Sequence, residues 1–462
     1  MPDAGLLTSS FQYGIVSRSL PLTGKVMKGF LNASRTGLGT GNPNAEFTPN
    51  ISMCALTSDG GSVKIIWGYR NGEVALTTAN RAMDNNRASS KLTRCRLDDE
   101  HEGSVQDLFW VPGADAFVSA ALDGKVKLWD RGVKCVWTSD REGGLVADSF
   151  VKVTAIISGA SIVIAGAKPS GDMVVWTGLS PSPAEESPQS LSPVSLIRIQ
   201  SPVTDAEEAQ GHAIKAIHLR IEADNRLSIL TQYENHSFSY RTRVDLTSRT
   251  VNHIQFGDEP IGSVSAMKQS FSVNSKESSF IIVGDTLGCI SIYDWDGVPD
   301  FTSSCKYPTV RATCKFEAHE DGAVTAIAAN TNIIATGSAR GTTKYWDSLN
   351  LGLLRSFPSP GARLRAGGEW AGVSNIILER DFVIISVGSR VLAWRAGPVG
   401  SRGPPISKGK SAKCARKNPL TKGFRESPLI RYVNRHSLTV LSFRRAPGTP
   451  PRYQRIPTSA RV

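Results

Sequence analysis

The chain has 462 residues, more than one ordinary compact core accommodates, so two or three domains or a repeat array is expected. Its most apolar stretch, 155–167, is short and broken by Ser158, Gly159 and Ser161, which excludes a membrane span there. The formal charge of +12 sits at one end: residues 396–462 hold 15 Lys or Arg against the single acid Glu426, while the other 395 residues hold 38 bases and 40 acids.

In chain order, residues 1–48 form a leader, expected to be partly ordered or to supply an outer strand. Its N-terminus lacks the basic start and apolar core of a signal peptide. The TGLGTGNP segment around Gly37, Gly39 and Gly41 reads as a loop and not a phosphate cradle, because no strand–Gly–helix context surrounds it. There are seven cysteines, an odd number with no C-x-x-C pair, as expected of free thiols in a reducing compartment. The expected location is therefore the cytoplasm, the nucleus or both, with no membrane partner.

Residues 49–396 repeat. The clearest unit is EHEGSVQDLFWVPGADAFVSAALDGKVKLWD at 100–130, and HEDGAVTAIAANTNIIATGSARGTTKYWD at 319–347 follows the same plan. Aligned on the closing position, seven candidates emerge: Thr77, Trp129, Trp176, Tyr240, Tyr293, Trp346 and Trp394. Five residues before each stand Gly72, Gly124, Gly171, Asn235, Gly288, Gly341 and Ser389, mostly residue types that tolerate positive φ in a tight hairpin. The positions one and three before the closure are mainly apolar, the spacing of one buried strand face.

These units resemble the WD40 family. The resemblance implies an all-β fold, a β-propeller expected to have seven four-stranded blades over 49–396. It also implies that His101, Ser119, Asp123 and Trp129 form a buried structural hydrogen-bond network. At the Asp123 position the other units carry Asn71, Ser170, Glu234, Leu287, Arg340 and Gly388, so most networks should be incomplete. In this family the loops joining second to third strands, and one blade to the next, share a top face. That places Arg70, Lys168, Arg340, Arg390 and Trp370 there as candidate partner-binding residues, since Arg and Trp commonly anchor protein interfaces.

Two segments are not blade. The loop 178–193, with Ser201 just beyond it, carries Ser-Pro at Ser180, Ser182, Ser187, Ser192 and Ser201 and is a candidate phosphorylation cluster. Residues 397–462 read as a basic, largely disordered tail, able to act as a localiser or a loose nucleic-acid contact. Within it, 430–443 is apolar enough to dock or to add an outer strand.

Neither H-E-x-x-H nor G-x-S-x-G occurs, and Gly409-Lys410-Ser411 fails as a phosphate loop because Pro404 stands at the required first glycine. No catalytic residue, metal or cofactor is expected. The main functional expectation is a protein-binding scaffold presenting a partner on the top face. One form is the substrate receptor of an SCF-type ubiquitin ligase: Leu20, Pro21, Val26, Phe30 and Leu31 faintly resemble the start of an F-box. The alternatives are a scaffold in a nuclear or RNA-linked assembly and, beyond that, an enzyme.

Overall fold

A computed structural model describes residues 51–59, 62–80, 90–139, 149–180, 194–203, 212–222, 226–257, 262–271, 278–301, 305–358, 371–379, 382–388 and 390–396, with short strands at 7–11, 15–20, 25–26, 31–32 and 424–425. Among these residues the elements are strands and one 3-10 turn, Leu97–Asp99. From residue 51 onward they form seven sheets, numbered one to seven, antiparallel except that sheet four gains a fifth strand, Thr309–Val310, which pairs parallel to Val251–Phe256. Sheet one comprises Ile51–Asp59, Ser62–Tyr69, Val74–Asn80 and Ser90–Arg94; sheet two Val105–Trp110, Ala116–Ala121, Val126–Asp130 and Cys135–Thr138. Sheet three comprises Lys152–Ser158, Ser161–Ala167, Met173–Leu179 and Ser195–Ile199; sheet four Ile214–Glu222, Arg226–Tyr233, Ser239–Asp245 and Val251–Phe256. Sheet five comprises Val264–Ser270, Phe280–Asp285, Cys289–Asp294 and Cys314–Glu317; sheet six Val324–Ala329, Ile333–Ser338, Thr343–Asp347 and Leu353–Phe357. Sheet seven comprises Val373–Glu379, Phe382–Val387, Arg390–Ala396 and the outer pair Phe424–Arg425.

Contacts divide the chain into two units. Residues 1–19 and 27–317 form the first, with sheets one to five, and residues 20–26 and 318–462 form the second, with sheets six and seven. In the first, apolar clusters lie between each sheet and the next. Phe117, Trp129, Val105 and Leu76 join sheets one and two, while Leu128, Val118, Ile164 and Trp176 join two and three. In the second, Tyr345, Ala335, Ile385 and Trp394 join sheets six and seven. Alternation makes this possible: sheets two, three and four are covered on both faces within their unit, so both sets of alternate residues along their strands are largely apolar.

The turn between second and third strands needs a left-handed residue, and the expected positions take it. Gly72, Gly124, Gly171, Gly288 and Gly341 have φ between 75° and 91°, and Asn235 has φ 54°. In sheet seven the residue is Gly388 (φ 56°), one before the expected Ser389, because that turn is shorter: Val387 already pairs with Arg390. Sheet four departs in the other direction. Its longer connection sets Thr231 against Tyr240 and Ile229 against Thr242, whereas sheet two pairs Phe117 with Trp129. Counted from the second-strand hydroxyl, Thr242 and not Tyr240 takes the closing position.

The described residues of the leader are strands: Leu7–Phe11 pairs with Ile15–Leu20, which also pairs with Leu31–Asn32. Leu20, Val26 and Leu31 thus lie in strands where the start of an F-box would be helical. Pro21 and Phe30 fall outside the described residues, as does 430–443; the outer strand of sheet seven comes from Phe424–Arg425 instead.

Candidate interaction surface

Sheet two holds the complete network. The indole of Trp129 donates to Ser119 Oγ at 2.8 Å; Ser119 Oγ lies 2.7 Å from His101 Nε2, and His101 Nδ1 lies 2.9 Å from Asp123 Oδ2. Asp123 Oδ2 also accepts the Glu102 N–H, and Oδ1 accepts that of Lys125, so the carboxylate ties the blade-connecting loop to the hairpin turn. Burial holds His101 below the usual imidazole range despite the pull of Asp123. Burial alone would raise Asp123, but its donors outweigh that and hold it below the usual carboxylate range. The neutral imidazole therefore donates through Nδ1 and accepts the Ser119 hydroxyl at Nε2. This is a Ser–His–Asp relay, yet Ser119 is fully buried and its oxygen already receives Trp129. It has the geometry of a nucleophile without access, so the network organises the turn.

Sheet six has Arg340 where the acid should stand, and the structure shows what replaces it. Trp346 donates to Thr336 Oγ1 (3.0 Å), which lies 2.8 Å from His319 Nε2. Asp321, two residues past the histidine, accepts Ser338 Oγ (3.1 Å) and Thr342 Oγ1 (2.7 Å) and stands 3.6 Å from His319 Nδ1. The carboxylate reaches the network from the connecting loop, not from the turn. A gap of 3.6 Å is too long for a hydrogen bond, and His319 Nδ1 and Asp321 Oδ1 are both buried without an acceptor or donor. Burial pushes His319 down to about 4.

Sheet one keeps the bond with its partners exchanged. The indole is on the second strand, Trp67, and donates 2.8 Å to Thr77 Oγ1 on the third. Trp67 occupies the position of Ser119, and Thr77 that of Trp129. The sequence reading placed Thr77 at the closing position and missed Trp67; a Trp ten residues before a Thr, mirroring Ser119 and Trp129, was the available signal.

The turns following the second strands lie at one end of every sheet. In the first unit they carry exposed Arg70, half-buried Lys168, exposed Glu234, and two leucines that the sequence reading overlooked, Leu122 (50% exposed) and Leu287 (53%). Glu102, on the loop into sheet two, pairs with Lys125 at 2.9 Å. In the second unit Arg340 is exposed and Arg390 half-buried at the corresponding end. Trp370 lies outside the described residues, as do Ser182, Ser187 and Ser192. Ser180 is half-buried beside the third strand of sheet three. Ser201 is buried, its hydroxyl donating to the Val203 carbonyl (3.1 Å) and accepting the Val203 N–H, so its access for modification requires that turn to open. Among the described residues no group of His, Cys, Asp and Glu is placed to hold a metal ion, and no helix is long and apolar enough to cross a membrane.

Comparison with known proteins agrees with this geometry. The family model described as WD domain, G-beta repeat, matches residues 93–130 and 311–347, the stretches that end in the closing tryptophans of sheets two and six. The chain carries WD40 repeats, and its fold class is that of the WD40 β-propellers. The propeller is similar to the crystal structure of Saccharomyces cerevisiae Sqt1, at 14% identity and TM-score 0.53, over 84% of this chain and 91% of that one. It is also similar to the computationally designed protein Ika8, at 15% identity and TM-score 0.50, over 83% and 90%. At this identity the likeness concerns the fold. No curated protein matches the propeller's sequence. A fold of this family fits a protein-interaction scaffold.

Proposed function

We propose that the propeller is a non-enzymatic scaffold whose second-to-third-strand turns hold a partner protein. The observation that carries this reading is the pairing of exposed apolar and cationic side chains at one end of the first unit: Leu122 and Leu287 among Arg70 and Lys168. Exposed leucines at tight turns have no part in the core, and with arginine on corresponding turns of the same unit they suit a partner that offers apolar as well as acidic side chains. In the second unit Arg340 and Arg390 extend the same chemistry at the corresponding end of their sheets.

The test is mass spectrometry of a tagged pull-down, run with one variant per unit: Arg70→Glu with Leu122→Asp, and Arg340→Glu with Arg390→Glu. The expected outcome is loss of the same proteins from at least the first variant, with unchanged thermal unfolding. Retention of every partner by both variants overturns the reading. Two finer readings are separated by the same experiment. Cullin-ligase adaptors in the wild-type sample would support a ubiquitin-ligase substrate receptor, which the strand-forming leader does not favour. Partners and nuclear location lost on deleting 397–462 would support a nuclear or RNA-linked scaffold localised by its basic tail.

A further inference from the structure

The face that sheet four turns toward sheet five is unlike the other inter-sheet layers. On sheet two the corresponding third-strand residues are Val126 and Leu128, both fully buried against sheet three. On sheet four the place of Leu128, across the ladder from the core residue Leu230, is taken by Arg241, which is 1% exposed. In the next rank Arg220, Ser228 and Arg243 lie side by side across three strands, so their side chains share that face. Arg220 and Arg241 both stack on the buried ring of Trp295, at 5.7 and 4.8 Å from its centroid, and Arg220 also lies 5.1 Å from Phe271 of sheet five. Three guanidinium groups thus converge between two sheets of one unit.

Their compensation is incomplete. Arg241 donates one N–H to the Trp295 carbonyl. Glu222, already accepting the Ser228 hydroxyl, lies 3.3 Å from Arg243 Nε, within ion-pair range but outside hydrogen-bond geometry; Asp296 stands 4.0 Å from Arg243 and is largely exposed. Two carboxylates therefore face three cations. Arg220 Nη1, Arg241 Nε and Arg243 Nε are all buried N–H donors without an acceptor. Burial, reinforced by Arg243, lowers even Arg241, to about 10. A buried cation without acceptors is costly, and stacking on aromatic rings offsets only part of it. Exposure rises outward through the cluster, from 1% at Arg241 to 34% at the Arg243 side chain and 66% at Asp296, so the opening lies on the Arg243 side.

We propose that Arg220, Arg241 and Arg243 form a binding site for a small phosphate-type oxyanion between sheets four and five. A tetrahedral oxyanion presents several acceptor oxygens at once, which suits three guanidinium groups with unmet N–H donors in one inter-sheet layer, and supplies the missing negative charge; because those donors are buried, its entry requires the side chains to part on the Arg243 side. The site is independent of the turn surface: it lies in a layer between sheets and takes a free ion rather than a protein.

Thermal unfolding of the full chain, with inorganic phosphate replacing chloride at constant ionic strength, tests it. Ligand bound only by the folded state raises the unfolding temperature with the logarithm of its concentration. Phosphate also stabilises proteins generally by exclusion from their surfaces, an effect that every variant shares. The wild type is expected to respond beyond that shared effect. Arg241→Leu, which restores the residue sheet two uses, is expected to unfold at or above the wild-type temperature in chloride and to keep only the shared effect. Arg243→Gln is expected to need on the order of tenfold more phosphate for the same shift, the loss of one charge-assisted bond. Equal phosphate responses in wild type and Arg241→Leu would overturn the site and assign any binding to other bases, such as the tail. Should Arg241→Leu fail to fold, the double variant Arg220→Gln with Arg243→Gln is read in the same way, and a full phosphate response there would overturn it equally.

Discussion

At the scale of single residues, histidines shielded from water link this protein's stability to pH. His319 sits unprotonated in the network of sheet six. His218, half-buried between sheets four and five and accepting Gln269 Nε2 at 3.0 Å, is likewise pushed down to about 4, by its loss of solvent first and by Lys268 second. The unfolded chain protonates each near 6.5, so between about 6.5 and 4 it binds more protons than the folded chain, and stability falls as pH falls through that window. Chemical denaturation at pH 7, 6 and 5 should show this fall, at up to about 1.4 kcal/mol per pH unit for each histidine. His218→Gln should flatten the slope while His319 maintains the remainder; an unchanged slope would exclude His218 as a contributor. The surrogate carboxylate gives a second prediction. Asp321→Ala strips the acceptor from Ser338 and Thr342 and should destabilise the fold by about 1–3 kcal/mol in denaturant titration. Arg340→Ala, at the position where a WD40 acid is expected, should be nearly neutral.

Elements pack through positions where a side chain would collide. A Cβ on Gly68 would lie 2.6 Å from Val105, and one on Gly337 would lie 2.5 Å from Val373, so each glycine lets the first strand of the following sheet close against it. The two occupy the same register, opposite Val74 and Thr343. Val is backed on a strand and cannot withdraw as a flexible side chain would. Gly68→Ala and Gly337→Ala should therefore each cost about 1–3 kcal/mol by overpacking, measured as a lowered denaturant midpoint. At the same scale, sheet one shows that the network bond matters more than which strand supplies the donor. Trp67→Ser alone should cost about 3–5 kcal/mol by emptying a buried site. Combined with Thr77→Trp, which recreates the arrangement of sheet two, part of that loss should return. A double-mutant cycle on the two positions reads it directly, and strict additivity would mean that the exchanged pair is not one interaction.

On the scale of the whole molecule, two regions of the first unit are separate in chemistry: the end carrying the second-to-third-strand turns, where Leu122, Leu287 and Arg70 are exposed, and the Arg-lined layer between sheets four and five. Exposed surface substitutions usually change stability by less than about 0.5 kcal/mol. The turn variants are therefore expected to alter partner capture without moving the unfolding transition, whereas Arg241→Leu should lose the phosphate-specific shift of the transition without altering partner capture. Measuring both readouts on both variants separates the two surfaces.

The sequence alone determined the repeat and six of the seven left-handed turn positions, because each depends on local chemistry: a glycine or asparagine at a tight hairpin, and a two-residue period along each strand; the resemblance of sheet two to WD40 repeats implied its network. It also located the basic charge in the tail. Tertiary structure decided what depends on residues brought together from different strands. Asp321 enters the sheet-six network from the preceding loop, and Trp67 takes the place of a serine on the neighbouring strand. The closing position of sheet four shifts to Thr242 because one loop is longer. Arg220, Arg241 and Arg243 come from the first and third strands of sheet four and meet around Trp295, contributed by sheet five, so only cross-strand register and inter-sheet packing, which no sequence window contains, bring them to one site.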